Sequence, residues 1–132
     1  MALLTREADA GMDTNTAIVG PQISGDLMAG EDLDPVAPCR IHTDGKVYMS
    51  NGTAADANAK VVGWTHKKFR AGQQVTLRGP GVRYGYGMGL TPGTDLYLGA
   101  TAGRLDTAAT TGGTKPIARV ISATDILVIA YQ

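Results

Sequence analysis

The sequence predicts an all-β fold: a small β-sandwich or barrel-like domain with a duplicated strand unit and an extended N-terminal arm. Three observations carry that prediction. Apolar residues alternate over short runs, as in Gln74-Val75-Thr76-Leu77-Arg78, and no segment sustains a helical period. Glycine makes up 18 of 132 residues, about twice its usual ~7 % share, and it falls between those runs, where turns are required. The chain also repeats itself. Leu33-Asp34-Pro35 and Leu90-Thr91-Pro92 open two stretches, about 33–78 and 90–130, in which strand and turn signals follow in the same order.

The elements read as follows. Residues 1–28 mix small and polar residues with isolated Leu3, Leu4, Ile18 and Val19, broken at Gly20-Pro21 and Ser24-Gly25. This is the expected arm, and 29–132 the expected β domain. Asp44-Gly45 is a hairpin signal between 39–41 and 47–49. Residues 53–59 are alanine-rich but too short for more than one helical turn. Residues 60–66 alternate weakly around Val62 and Trp64, and Ala71-Gly72 is a further turn. Val82, Tyr84 and Tyr86 share one parity with glycines opposite, which suits a strand that another backbone approaches closely. In the second stretch, 96–98 matches 39–41, the turn at Gly103 matches Gly45, and 115–121 matches 60–66. Its last run, 125–130, is the most hydrophobic in the chain and matches 74–78.

Composition narrows the function. Lys plus Arg and Asp plus Glu each number 12, so the net charge is zero. A nucleic-acid binder normally carries a basic excess to neutralise phosphates, so no nucleic-acid partner is expected. No apolar run reaches the ~18 residues of a membrane helix, and no membrane partner is expected. Only seven residues are aromatic, so large hydrophobes are scarce, and thin cores are commonly supplemented by oligomerisation. Cys39 is the single cysteine and, among Val36, Ala37 and Ile41, reads as a buried inert thiol.

Candidate chemistry is sparse. Gly85-x-Gly87-x-Gly89 lacks the following helix and the lysine of a phosphate loop. His42 and His66 have no further ligands at metal-binding spacing. Ser24, Ser50 and Ser122 do not sit in nucleophile settings, and Glu31, Asp32 and Asp34 share one loop. The expectation is therefore no enzyme, no catalytic residue, no metal and no cofactor. His66, Lys67, Lys68 and Arg70 form the one basic cluster, beside Trp64 and Phe69. It reads as a solvated hairpin tip or as a contact for an acidic protein surface, with Glu31 and Asp32 as a complementary patch on a neighbouring copy. Trp64, Ile126 and Val128 are expected in the core or between subunits.

Ala29-Gly30-Glu31-Asp32-Leu33, Asp44-Gly45-Lys46-Val47, Val62-Gly63-Trp64, 71–79, 90–98 and Gly103-Arg104-Leu105 together resemble the capsid decoration, or cement, proteins of tailed bacteriophages. The resemblance covers about three-quarters of the chain and leaves out the arm. It implies a compact β domain, usually a homotrimer with a dimer as the alternative, on the outer capsid surface of the virion, assembled in the host cytoplasm. It also implies that the major capsid protein is the partner, and that the role is non-enzymatic. On this reading Leu3, Leu4, Ile18, Val19, Glu31, Asp32, His66, Lys67, Lys68 and Arg70 are the expected partner contacts. Alternatives are another virion part (a head-fibre base or tail accessory), or a carbohydrate-binding module with Trp64, Tyr84 and Tyr86 as its platform.

Overall fold

Turn chemistry decides where the strands begin and end. At Asp44-Gly45 the glycine adopts φ +80° and the Asp44 carboxylate accepts from the Lys46 N–H at 2.9 Å. The chain can therefore reverse between β3 (Pro38–Ile41) and β4 (Val47–Met49). Gly72 and Gly103, at φ +87° and +71°, mark the other two turns expected from the sequence. The alanine-rich stretch makes a single 3-10 turn, Ala57–Ala59, capped by the Asp56 side chain on the Asn58 N–H.

The structure, a computed structural model, describes residues 3–8, 10–12, 22–23 and 27–132. Ile18 and Val19 lie outside the described residues. The remaining strands are β1 (Gly11–Met12), β2 (Gln22–Ile23), β5 (Gly63–Trp64), β6 (Leu77–Arg78), β7 (Arg83–Gly85), β8 (Asp95–Leu98), β9 (Leu105–Asp106), β10 (Ala118–Val120) and β11 (Asp125–Val128). They form two antiparallel sheets, ordered β1-β7-β11-β10-β8-β9 and β2-β6-β5-β3-β4. Neither sheet closes into a barrel. The all-β expectation stands, and its barrel alternative is set aside.

The two sheets are the two repeats. Apart from β1, both have the same strand order and the same pairing: β4-β3-β5-β6-β2 corresponds to β9-β8-β10-β11-β7. The registers agree residue by residue. Ile41↔Val47 corresponds to Leu98↔Leu105, Pro38↔Trp64 to Asp95↔Arg119, and Trp64↔Arg78 to Arg119↔Leu127. Ile23↔Leu77 likewise corresponds to Tyr84↔Ile126. Hydrogen bonds outside the ladders repeat too. Val62 N–H donates to the Cys39 carbonyl as Ile117 N–H does to Leu96, both at 2.9 Å. Each unit also starts one strand earlier than the sequence pattern shows, at β2 and β7. The boundary expected at 28/29 therefore cuts through the first sheet.

Burial follows parity. Val82, Tyr84 and Tyr86 are all buried, as are Leu96, Leu98, Leu105, Ile126 and Val128. These build the main core together with Val36, Val61 and Trp64 from the first unit. Trp64 stacks on Tyr84 at 6.3 Å between ring centroids and joins the two sheets. A smaller core, including Leu33, Cys39, Val47, Phe69, Val75 and Leu77, belongs to the first unit alone.

Candidate interaction surface

The N-terminal segment was expected to reach for a neighbour. Its described parts lie on this chain: residues 3–8 and 10–12 run along the second unit, and Gln22–Ile23 pairs with β6 of the first. Leu3 bridges Asp106, Leu4 N–H donates to the Leu105 carbonyl, and Glu7 N–H donates to Tyr86. Gly11 and Met12 then pair with Gly85 and Tyr84. This path accounts for one of the glycines that follow β7. A side chain at Gly87 would stand 2.9 Å from the Thr5 carbonyl, so the close approach of the segment requires glycine there. Leu4 packs against the main core, which leaves Leu3 as the exposed apolar residue of the expected pair.

Arg6 ties this segment down, and nothing in the sequence singles it out. Its guanidinium donates to the Asp34 carboxylate at 2.7 Å and to the Gly103 carbonyl at 3.1 Å, with its side chain 7 % exposed. It thereby joins the Pro35 turn of the first unit to the hairpin turn of the second. Flanked by Glu7 in a polar stretch, it reads in the sequence as one more solvated charge.

The acidic and basic loops, assigned from sequence to different copies, are neighbours within one chain. Leu33 and Phe69 exchange backbone hydrogen bonds at 2.7 and 3.1 Å. The Asp32 carboxylate accepts from the Ala71 N–H at 2.9 Å, and the Glu31 carboxylate accepts from the Met49 N–H at 2.9 Å. Both acids thus hold backbone N–H groups of other segments of the same chain. In the basic loop, Lys67, Lys68 and Arg70 are exposed and Phe69 is buried. Lys67 Nζ lies 5.4 Å from the Phe69 ring centroid, and the His66 ring meets Phe69 edge-on at 5.6 Å. Partial burial, reinforced by the cations Arg78 and Lys67, holds the His66 imidazole below its ordinary pKa. Both effects favour the neutral form of the ring.

Trp64, Ile126 and Val128 are core residues of the single chain, all essentially unexposed. The carbohydrate platform is overturned, because Trp64, Tyr84 and Tyr86 face the interior and present no ring to a sugar. Cys39 is buried, and burial pushes its thiol well above the usual range, so it is unreactive in the folded chain. Burial likewise raises the Tyr84 and Tyr86 hydroxyls. Among the described residues, no group of three or more His, Cys, Asp and Glu is placed to hold a metal, and no helix is long and apolar enough to cross a membrane. A recess of about 320 Å³ lies between Glu7, Ala10 and Thr124, beside Met88, which is 73 % exposed.

In comparisons with family models and with curated protein sequences, nothing matches this chain.

Proposed function

We propose that this protein decorates the outer surface of a tailed-phage capsid and stabilises the shell by bridging adjacent major capsid subunits, without catalysing a reaction. The observation that carries this reading is where the resembling residues fall. Asp44 to Val47, Val62 to Trp64, 71–79 and 90–98 hold turns and strands of both sheets, and Ala29 to Leu33 carries isolated bridges to Val47 and Phe69, so the resemblance rests on the frame of the domain.

The physical demands of the role agree with this frame. A cement protein works through modest contacts repeated by symmetry, and a closed homotrimer multiplies a small interface without open-ended growth. Short strands joined by tight turns, with Arg6 and the Leu33–Phe69 pair binding loop to loop, make a domain that resists deformation between its contact points. Partner contacts then fall to exposed groups: Leu3, Met88 and the cations of the basic loop. The test is to add purified protein to undecorated phage heads and reconstruct the particles. The expected result is density repeated with the symmetry of the shell. Density confined to a vertex or the tail would favour the head-fibre or tail role, and bare heads would end the proposal.

A further inference from the structure

The duplication supplies an internal reference for what has been added to one copy. Corresponding positions differ by 55 residues at the start of the last hairpin (119 less 64) and by 49 at its end (127 less 78). The first unit therefore carries six extra residues between β5 and β6, where the second unit makes a short turn through Ser122 and Ala123. That insertion is the basic loop. It brings Lys67, Lys68 and Arg70, and among the described residues none of the three has an acidic side chain in ion-pair contact.

The insertion is held in shape. Phe69 anchors it in the smaller core and pairs with Leu33. Arg70 N–H donates to the Gln73 side chain at 2.6 Å, and Gln73 N–H donates back to the Arg70 carbonyl at 3.0 Å. Ala71 and Gly72 are fixed by Asp32 and by the Ala29 carbonyl. A loop needed only to connect two strands requires neither the extra length nor these tethers. A loop that presents cations in a fixed arrangement loses less entropy on binding.

We propose that residues 66–73 form a preorganised cationic loop that binds an acidic segment of a partner protein. Nucleic acid fits the loop less well. Its one aromatic, Phe69, is buried under Lys67 and offers no stacking face, and the chain as a whole has no positive excess to follow a phosphate backbone. Acidic side chains need only the three exposed cations. The inference stands on the loop itself and not on the capsid reading.

The experiment is a titration of the full-length, isotope-labelled protein with a short polyglutamate peptide at low salt, followed by amide NMR. The expected shifts concentrate on 66–73. With each exposed pair contributing about two- to fivefold, the combined Lys67→Ala, Lys68→Ala and Arg70→Ala variant should bind roughly tenfold more weakly or worse. Its amide spectrum should otherwise be unchanged. A control variant carrying Lys115→Ala and Arg119→Ala should bind as the parent does. Shifts spread equally over the cations of the second unit, or unchanged binding by the triple variant, would overturn the proposal. So would an oligothymidylate of matched charge that shifts the same amides more strongly.

Discussion

Val36 offers the sharpest test of the duplicated architecture. Its backbone is left-handed at φ +51°, where the second unit has Gly93 at φ +89°. Both residues follow the prolines that open the repeats. A β-branched residue in this region carries about 1–3 kcal/mol of strain. Burial offsets it: the Val36 side chain is 0 % exposed in the main core, and its three carbons return about 2.4 kcal/mol at ~0.8 kcal/mol each. Gly93 is exposed, and a side chain there would touch nothing, so no such return is open to the second unit.

The perturbation is the pair Val36→Ala and Val36→Gly. Alanine loses two carbons, about 1.6 kcal/mol plus a cavity contribution, and keeps a left-handed cost of about 1–2 kcal/mol. Glycine loses about 0.8 kcal/mol more but releases that strain. At an ordinary buried site the glycine variant would fall below the alanine variant by about 1.3–1.8 kcal/mol, the methyl plus the backbone freedom of glycine. At Val36 the released strain cancels this, and the two variants should lie within about 0.8 kcal/mol of each other. Urea unfolding followed by the fluorescence of Trp64, the single tryptophan, measures the difference, with the m-value checked for constancy. A glycine variant less stable than the alanine variant by about 1.3 kcal/mol or more would refute the strain argument.

Three further outcomes follow from the same contacts. Thr65→Val should cost about 2–3 kcal/mol in the same urea assay, because the buried Thr65 hydroxyl donates to the Asp34 carbonyl at 2.6 Å and accepts from the Ala37 N–H at 2.9 Å, both left unpaired by valine. Arg6→Ala should cost about 1–3 kcal/mol and increase hydrogen exchange at Leu4 and Glu7, since the Asp34 and Gly103 contacts both go. His66 has a depressed folded pKa, so the unfolded chain binds the proton first. Its contribution is therefore intact above the ordinary value of 6.5 and is lost as the pH falls through the folded value. Stability measured from pH 7.5 downward should drop more steeply for the parent than for His66→Gln.

Local chemistry made much of this fold legible. The Asp44-Gly45 hairpin, the Ala71-Gly72 turn, the alternation through Val75 and Leu77 and the shared parity of Val82, Tyr84 and Tyr86 are properties of neighbouring residues, and each appears as read. The repeat was visible for the same reason, because Pro35 with Pro92 and Gly45 with Gly103 mark equivalent turns. Its first strands were not. β2 is two residues long and β7 reads as a strand lying outside either repeat, and only pairing with the last strand of each unit makes them the first strands of the two copies.

The candidate site was legible as a list of residue types and not as a surface. The sequence places Lys67, Lys68 and Arg70 together because they are adjacent, and solvent exposure follows from their charge. It could not show that the His66 pKa is depressed, since the shift comes from burial and from Arg78 and Lys67 brought alongside it. Nor could it show that Asp32 and Glu31 are occupied by backbone donors of other segments, or that Arg6 spans the two repeats. These are contacts between residues far apart in the chain, and no local pattern encodes them.

By itself, then, the sequence determined the all-β class, the turns, the alternating faces and the fact of duplication, since these depend on backbone preferences and burial within a few residues. The tertiary structure decided that each copy is one sheet, that the described parts of the N-terminal segment lie on their own chain, and that the basic cluster is a six-residue addition to an otherwise shared frame. Each of those is a matter of strand order and register, which only the pairing of distant segments can set.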